Sequence, residues 1–187
     1  MREDAELIDR AIHEMVTLAP YDASWPSAFS AERERLLTLF PSQLLSVEHF
    51  GSTAVAGMAA KPIIDILAGV ESMAVADELF EQLLVSGYTT SREFNATLVD
   101  SRWFMRVAGG RRTHHLHVVK LGGKQWQTRL RFRDALRASD GLAQQYSELK
   151  HRLAKRHSAD REAYTNAKLN SWRLSLQSPN PSIERTF

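Results

Sequence analysis

Between Glu48 and Leu67 the chain reads Glu48-His49-Phe50-Gly51-Ser52-Thr53, then seven small or apolar residues, then Lys61-Pro62-Ile63-Ile64-Asp65-Ile66-Leu67. Two apolar runs, Leu44 to Phe50 and Pro62 to Val70, are long enough for strands and too short for ordinary helices. Residues 51–60 between them read as a turn followed by a short helix. The chain must therefore leave one strand through a Gly-Ser bend and enter the next with a single acidic side chain. Side chains alternate along a strand, so Ile63, Asp65 and Leu67 share one face while Ile64, Ile66 and Ala68 share the other. A buried, unpaired carboxylate is costly, so Asp65 requires a cation nearby: a metal, Lys61 or an arginine.

The bend carries its own chemistry. Gly51-Ser52-Thr53 offers two hydroxyls and unhindered N–H groups, an arrangement suited to a phosphate, with a carboxylate on the next strand to hold a divalent metal against it. Ser and Thr also cap helices in every fold, so the tripeptide gains meaning only together with Asp65. Lys61 is placed to neutralise phosphate charge, or is simply a solvated loop lysine.

Around this core the pattern is mixed. Ser24 and Pro26 suit the start of a helix that carries Phe29, Leu36, Leu37 and Phe40 on one side and ends near Pro41. Residues 73–86 read as a helix closed by Gly87. Arg102 to Val107 and Thr113 to Leu121, split by Gly109-Gly110-Arg111-Arg112, form a predicted hairpin with a somewhat long loop. From Trp126 to about Gln177 the chain is helical, with breaks near 139–141 and 158–160. The whole is an α+β plan with a helical C-terminal part. Residues 1–15 are an N-terminal helical extension, 16–177 the domain, and 178–187 a flexible tail.

No run is apolar enough to cross a bilayer, cysteine is absent, and Arg2-Glu3-Asp4-Ala5-Glu6 is the wrong chemistry for a signal or transit peptide. A cytoplasmic protein is expected. The net charge of +2 conceals an asymmetry: residues 102–156 hold 14 Lys or Arg against Asp134, Asp140 and Glu148. Such a block suits an anionic partner, and part of it must also pair with the acidic first sixty residues. Arg129, Arg133 and Arg137 recur every fourth residue as one helical stripe that can grip phosphate or face solvent. No regular series of aromatics offers a platform for single-stranded nucleic acid, which ranks nucleic acid below a phosphorylated small molecule or nucleotide as partner. Trp126, Tyr146, Leu149, Leu153 and Tyr164 fit core positions.

His114-His115-Leu116-His117 lies in a predicted strand, with His115 and His117 on one face. Two imidazoles at this spacing, with Asp65 on a neighbouring strand, would make a two-histidine, one-carboxylate metal site. They would equally serve proton transfer near neutral pH, or be histidines on a half-exposed strand. Of Glu48 and His49, on opposite faces, one at most shares the cleft of Asp65.

These residues carry a resemblance. The chain from Val16 to Leu176 resembles the GrpB family, nucleotidyltransferase-like proteins whose domain is also found fused to dephospho-CoA kinase. The resemblance rests on Tyr21-Asp22 with Trp25, Glu48-His49-Phe50-Gly51-Ser52-Thr53, Lys61-Pro62-Ile63-Ile64-Asp65-Ile66, His115-Leu116-His117-Val118, Phe132-Arg133-Asp134 and Leu136-Arg137. It implies a nucleotidyltransferase-like mixed sheet flanked by helices, and a transferase acting on a nucleotide or other phosphorylated small molecule. Asp65, His115 and His117 would be catalytic and would hold a divalent metal (magnesium, manganese or zinc). Gly51, Ser52, Thr53, Lys61 and Arg133 would bind phosphate. Working members of the superfamily place a second carboxylate two residues after the first, and here that residue is Leu67, which leaves a degenerate metal site or a non-catalytic binding domain.

Overall fold

The computed structural model describes residues 15–160 and 163–167. The expected helices over 1–14 and beyond residue 167, and the tail from 178, lie outside those residues. A first helix, α1 (Trp25–Leu39), leads into strand β1 (Ser46–Phe50), a 3₁₀ turn (Ser52–Ala54) and strand β2 (Ile64–Val70). Helix α2 (Met73–Val85), strand β3 (Tyr88–Thr89) and the short α3 (Arg92–Ala96) follow, then the hairpin of β4 (Ser101–Ala108) and β5 (Arg111–Lys120). Helices α4 (Lys124–Ala138) and α5 (Asp140–Arg156) follow, and residues 163–167 are again helical.

The sheet runs β1-β2-β5-β4-β3, with β2 and β5 parallel and every other pair antiparallel. The parallel pair sits at the centre, where strands are covered on both faces and read as near-continuous apolar runs. That accounts for Ile64-Asp65-Ile66-Leu67-Ala68-Gly69-Val70, in which every residue is buried except Asp65. Leu67, at the position of the second carboxylate, is fully buried.

One face of the sheet, with Val47, Ile64, Ile66, Leu116, Val118 and Phe104, packs on Leu36 of α1, on Phe40 just after it, and on Ala76, Leu79 and Leu83 of α2. Buried Glu32 of α1 pins this layer, accepting hydrogen bonds from Tyr88 Oη at 2.7 Å and Arg35 Nη2 at 2.7 Å and pairing with Arg106. A second core joins α4 and α5 to the loop after β1 through Val55, Met58, Leu136, Tyr146 and Leu149. Here Tyr146 and Tyr164 fill the interior, and Phe132 meets Tyr146 edge-on at 5.0 Å.

Three local expectations need correction. Ser24 makes no capping bond; Asp22 instead accepts from the Ser24 N–H at 2.8 Å. The β4–β5 loop is shorter than expected, because Gly109 (φ 58°) and Gly110 (φ 73°) adopt the left-handed conformation that closes a two-residue turn and lets Arg111 and Arg112 join the strand. Helix α3, not foreseen, starts at Ser91, whose Oγ accepts from the Phe94 N–H at 3.0 Å.

Candidate active site

Register places the site. Phe50 of β1 pairs with Asp65, which pairs with His115 of β5, while Glu48, Leu67 and His117 form the next row on the same face. The β1 strand ends at Gly51, whose backbone (φ 75°, ψ −170°) is confined to glycine and turns directly over Asp65. A Cβ at Gly51 would stand 2.4 Å from Asp65 Oδ2, so the absence of a side chain allows bend and carboxylate to touch.

His115 Nδ1 lies 3.1 Å from Asp65 Oδ1. A carboxylate can only accept here, so Nδ1 carries a proton, and in the neutral ring Nε2 presents its lone pair. That Nε2 is buried with no hydrogen-bond partner among the described residues. His114 Nε2 is in the same state on the opposite face, so an unpartnered nitrogen alone does not mark a site. What distinguishes His115 is the company of Asp65 and of a cation.

The cation is Arg129 of α4. Its guanidinium sits over the Phe50 ring at 5.2 Å from the centroid. Burial pulls its pKa down to about 10 while the charge of Asp65 opposes the shift. Among the described residues no hydrogen bond or ion pair at contact distance engages it, although guanidinium carries five donors. A desolvated cation with unspent donors beside a carboxylate is prepared for an anionic group.

The rest of the stripe is committed to framework. Arg133 donates from Nη1 to Glu48 Oε2 at 2.8 Å and to the His49 carbonyl at 2.9 Å, and from Nε to Asp134 at 2.8 Å. Arg137 Nε donates to the Ala54 carbonyl at 2.9 Å. Arg133, expected as a phosphate ligand, ties α4 to β1 through these bonds. Thr53, also expected to bind phosphate, is buried, and its hydroxyl lies between His49 Nε2 at 3.0 Å and the Ile63 carbonyl. His49 faces the α1 side, stacked on Phe29 at 4.7 Å, and burial lowers its pKa to about 4.

Lys61 points elsewhere, with Nζ 5.0 Å from the centre of the Tyr164 ring. Ser52 is half-buried beside the bend. His117 meets Phe50 edge-on at 5.2 Å. The expected three-ligand grouping of Asp65, His115 and His117 does not form: among the described residues no three His, Asp or Glu side chains converge to hold an ion. His115 turns Nδ1 to Asp65 and His117 meets Phe50 edge-on, and the three side chains do not point at one centre. An ion held by all three of these side chains together does not fit this arrangement. Trp126 is packing, as its ring lies where a Cβ on Gly69 would come within 2.9 Å.

The profile of the family described as GrpB protein matches residues 15–177. The chain belongs to the GrpB family. A crystallised GrpB from Enterococcus faecalis shares 31% identity and superposes with a TM-score of 0.70, over 83% of this chain and 99% of that one. YqkA of Bacillus subtilis is 35% identical over 153 residues, covering 82% of this chain and 44% of YqkA. A dephospho-CoA kinase of Mycolicibacterium paratuberculosis is 33% identical over 175 residues, covering 82% of this chain and 43% of the kinase. This GrpB chain thus spans less than half the length of those two relatives. The structure of Cid1 in complex with its short product ApU aligns with a TM-score of 0.50 at 13% identity, over 96% of this chain and 55% of that one, a likeness of fold. The fold is the α+β nucleotidyltransferase-like one, a five-stranded mixed sheet flanked by helices. Among the described residues no helix is long and apolar enough to cross a membrane.

Proposed function

We propose that this GrpB protein binds a nucleotide or another phosphorylated small molecule in the cytoplasm and transfers a phosphoryl-linked group from it to a hydroxyl acceptor. The observation that carries the reading is Arg129, a half-buried guanidinium over the Phe50 ring that feels the charge of Asp65 and has no hydrogen-bonding anion among the described residues. A phosphate at that place would take the donors of Arg129 together with the backbone of the Gly51-Ser52 bend. Asp65 orients His115. In the transfer, the acceptor hydroxyl gives its proton to the Asp65–His115 pair, through the carboxylate that solvent reaches, as its oxygen bonds phosphorus. The bond from phosphorus to the leaving oxygen breaks with its electron pair going to that oxygen, beside Arg129. A magnesium ion carried in on the phosphates would have Asp65 as its protein carboxylate, the manner in which that ion is usually held.

The test is turnover of labelled nucleotides with divalent ions and hydroxyl acceptors by wild type, Asp65→Asn and His115→Gln. Both variants should lose turnover while still binding nucleotide, and equal turnover in all three removes the pair from the mechanism. Buried Leu67 supports a second reading, a binding domain without chemistry. That reading expects no turnover in any form and thermal stabilisation by nucleotide that chelator leaves untouched.

A further inference from the structure

One side of the candidate site is aromatic. Trp103 of β4 pairs in register with His117, so its side chain rises from the same face as Asp65 and His115. Its ring centre is 5.4 Å from that of His115. Strands lie about 4.8 Å apart and Trp103 stands two residues, roughly 7 Å, along from the row of Asp65, which puts the two roughly 12 Å apart, two strands across the sheet. Phe94 of α3 meets Trp103 edge-on at 5.7 Å and is 48% exposed. Trp103 itself is only half-buried.

This corner is held rigidly. Buried Asn95 donates from Nδ2 to the Trp103 carbonyl at 2.8 Å and accepts from the Trp103 N–H at 2.8 Å, while Thr90 Oγ1 donates to the same carbonyl at 2.5 Å. Both backbone groups of Trp103 are thus spent on the segment that carries Phe94. Fixing two large aromatics where water reaches them forgoes burial that each would otherwise gain. A rigid aromatic surface beside a phosphate-ready cation fits a ligand with one anionic end and one planar end.

We infer that Trp103, clamped by Asn95 and edged by Phe94, is the platform on which the base of a nucleotide ligand stacks, next to the Asp65–His115 pair. The inference rests on the phosphate-binding reading for the position of the ligand's other end. Stacking does not distinguish bases strongly, since every base has a π-face, so the platform selects for a planar ring rather than for one nucleoside.

The experiment is calorimetric titration of the full chain with adenosine triphosphate, adenosine and inorganic tripolyphosphate, using wild type, Trp103→Ala and Trp103→Phe, with circular dichroism and melting to confirm folding. Wild type should bind adenosine triphosphate about tenfold or more tightly than tripolyphosphate. Trp103→Ala should abolish that advantage and leave tripolyphosphate binding unchanged, and Trp103→Phe should retain most of it. Equal affinity of wild type for both probes overturns the platform, as does an Ala variant that keeps the preference or weakens both probes alike. The two readings separate: adenosine binding that depends on Trp103 without tripolyphosphate binding leaves the platform and removes the phosphate site. Tripolyphosphate binding without a preference for adenosine triphosphate does the reverse, and no binding of any probe overturns both.

Discussion

Replacing Gly51 with alanine probes the contact on which the candidate site is built. The backbone there (φ 75°, ψ −170°) lies in a region that costs an L-residue about 1–3 kcal/mol. The new Cβ would stand 2.4 Å from Asp65 Oδ2 and 3.1 Å from Asp65 Cβ and Cγ, so the carboxylate must leave its rotamer for a further cost of about 0.5–1.5 kcal/mol. The total of about 1.5–4.5 kcal/mol corresponds to a fall in Tm of roughly 3–18 °C for a chain of this size. Urea denaturation of wild type, Gly51→Ala, Asp65→Ala and the double variant separates the two contributions. Strain in the backbone survives removal of the carboxylate, whereas the steric part does not, so the cycle should show a coupling of about 0.5–1.5 kcal/mol. Effects that add with no coupling would refute the close approach of bend and carboxylate.

Further outcomes follow from the same geometry. Burial holds the folded-state pKa of His49 at about 4 against 6.5 for the exposed group, with Asp65 opposing the shift and Arg137 and Arg133 reinforcing it. Below pH 6.5 the unfolded chain therefore binds a proton that the folded one refuses, and stability falls between pH 6.5 and 4 by roughly 2–3 kcal/mol. Denaturation at pH 7 and 4.5 should show a smaller acid loss in His49→Phe than in wild type; equal losses would contradict this. Arg133→Met should lower stability by about 1.5–3 kcal/mol, because the His49 carbonyl and Glu48 lose a charged donor, and should leave nucleotide affinity unchanged in titration. Long-range ¹⁵N NMR should find the His115 proton on Nδ1, with Asp65→Asn disturbing that tautomer; a proton resident on Nε2 in wild type would contradict the orientation by Asp65.

The sheet was legible because its strands obey simple rules. Leu44 to Phe50 and Pro62 to Val70 anticipate β1 and β2 to within two residues, and period-two alternation places Asp65, His115 and His117 on one face. What sequence could not supply is which of several equivalent side chains reaches the site. Arg129, Arg133 and Arg137 are indistinguishable as a stripe, and only the packing of α4 along β1 sends Arg133 to Glu48 and Arg129 to Phe50. Thr53 and Ser52 look alike in sequence, yet the 3₁₀ turn sends the Thr53 hydroxyl inward to His49. Trp103 carries no local signal, because its pairing with His117 depends on strand order, and only alternation from a paired His117 marks it. Helix α3 is too short for a periodic signal, and its cap Ser91 is the one local sign of it.

The binding of phosphate by Arg129 is the central claim, and calorimetric titration of magnesium adenosine triphosphate into wild type and Arg129→Met tests it most directly. A desolvated cation without a bonded partner contributes little to folding, so the variant should match or exceed wild type in urea denaturation while losing affinity about tenfold or more. Undiminished affinity in a fully folded Arg129→Met protein would contradict the account.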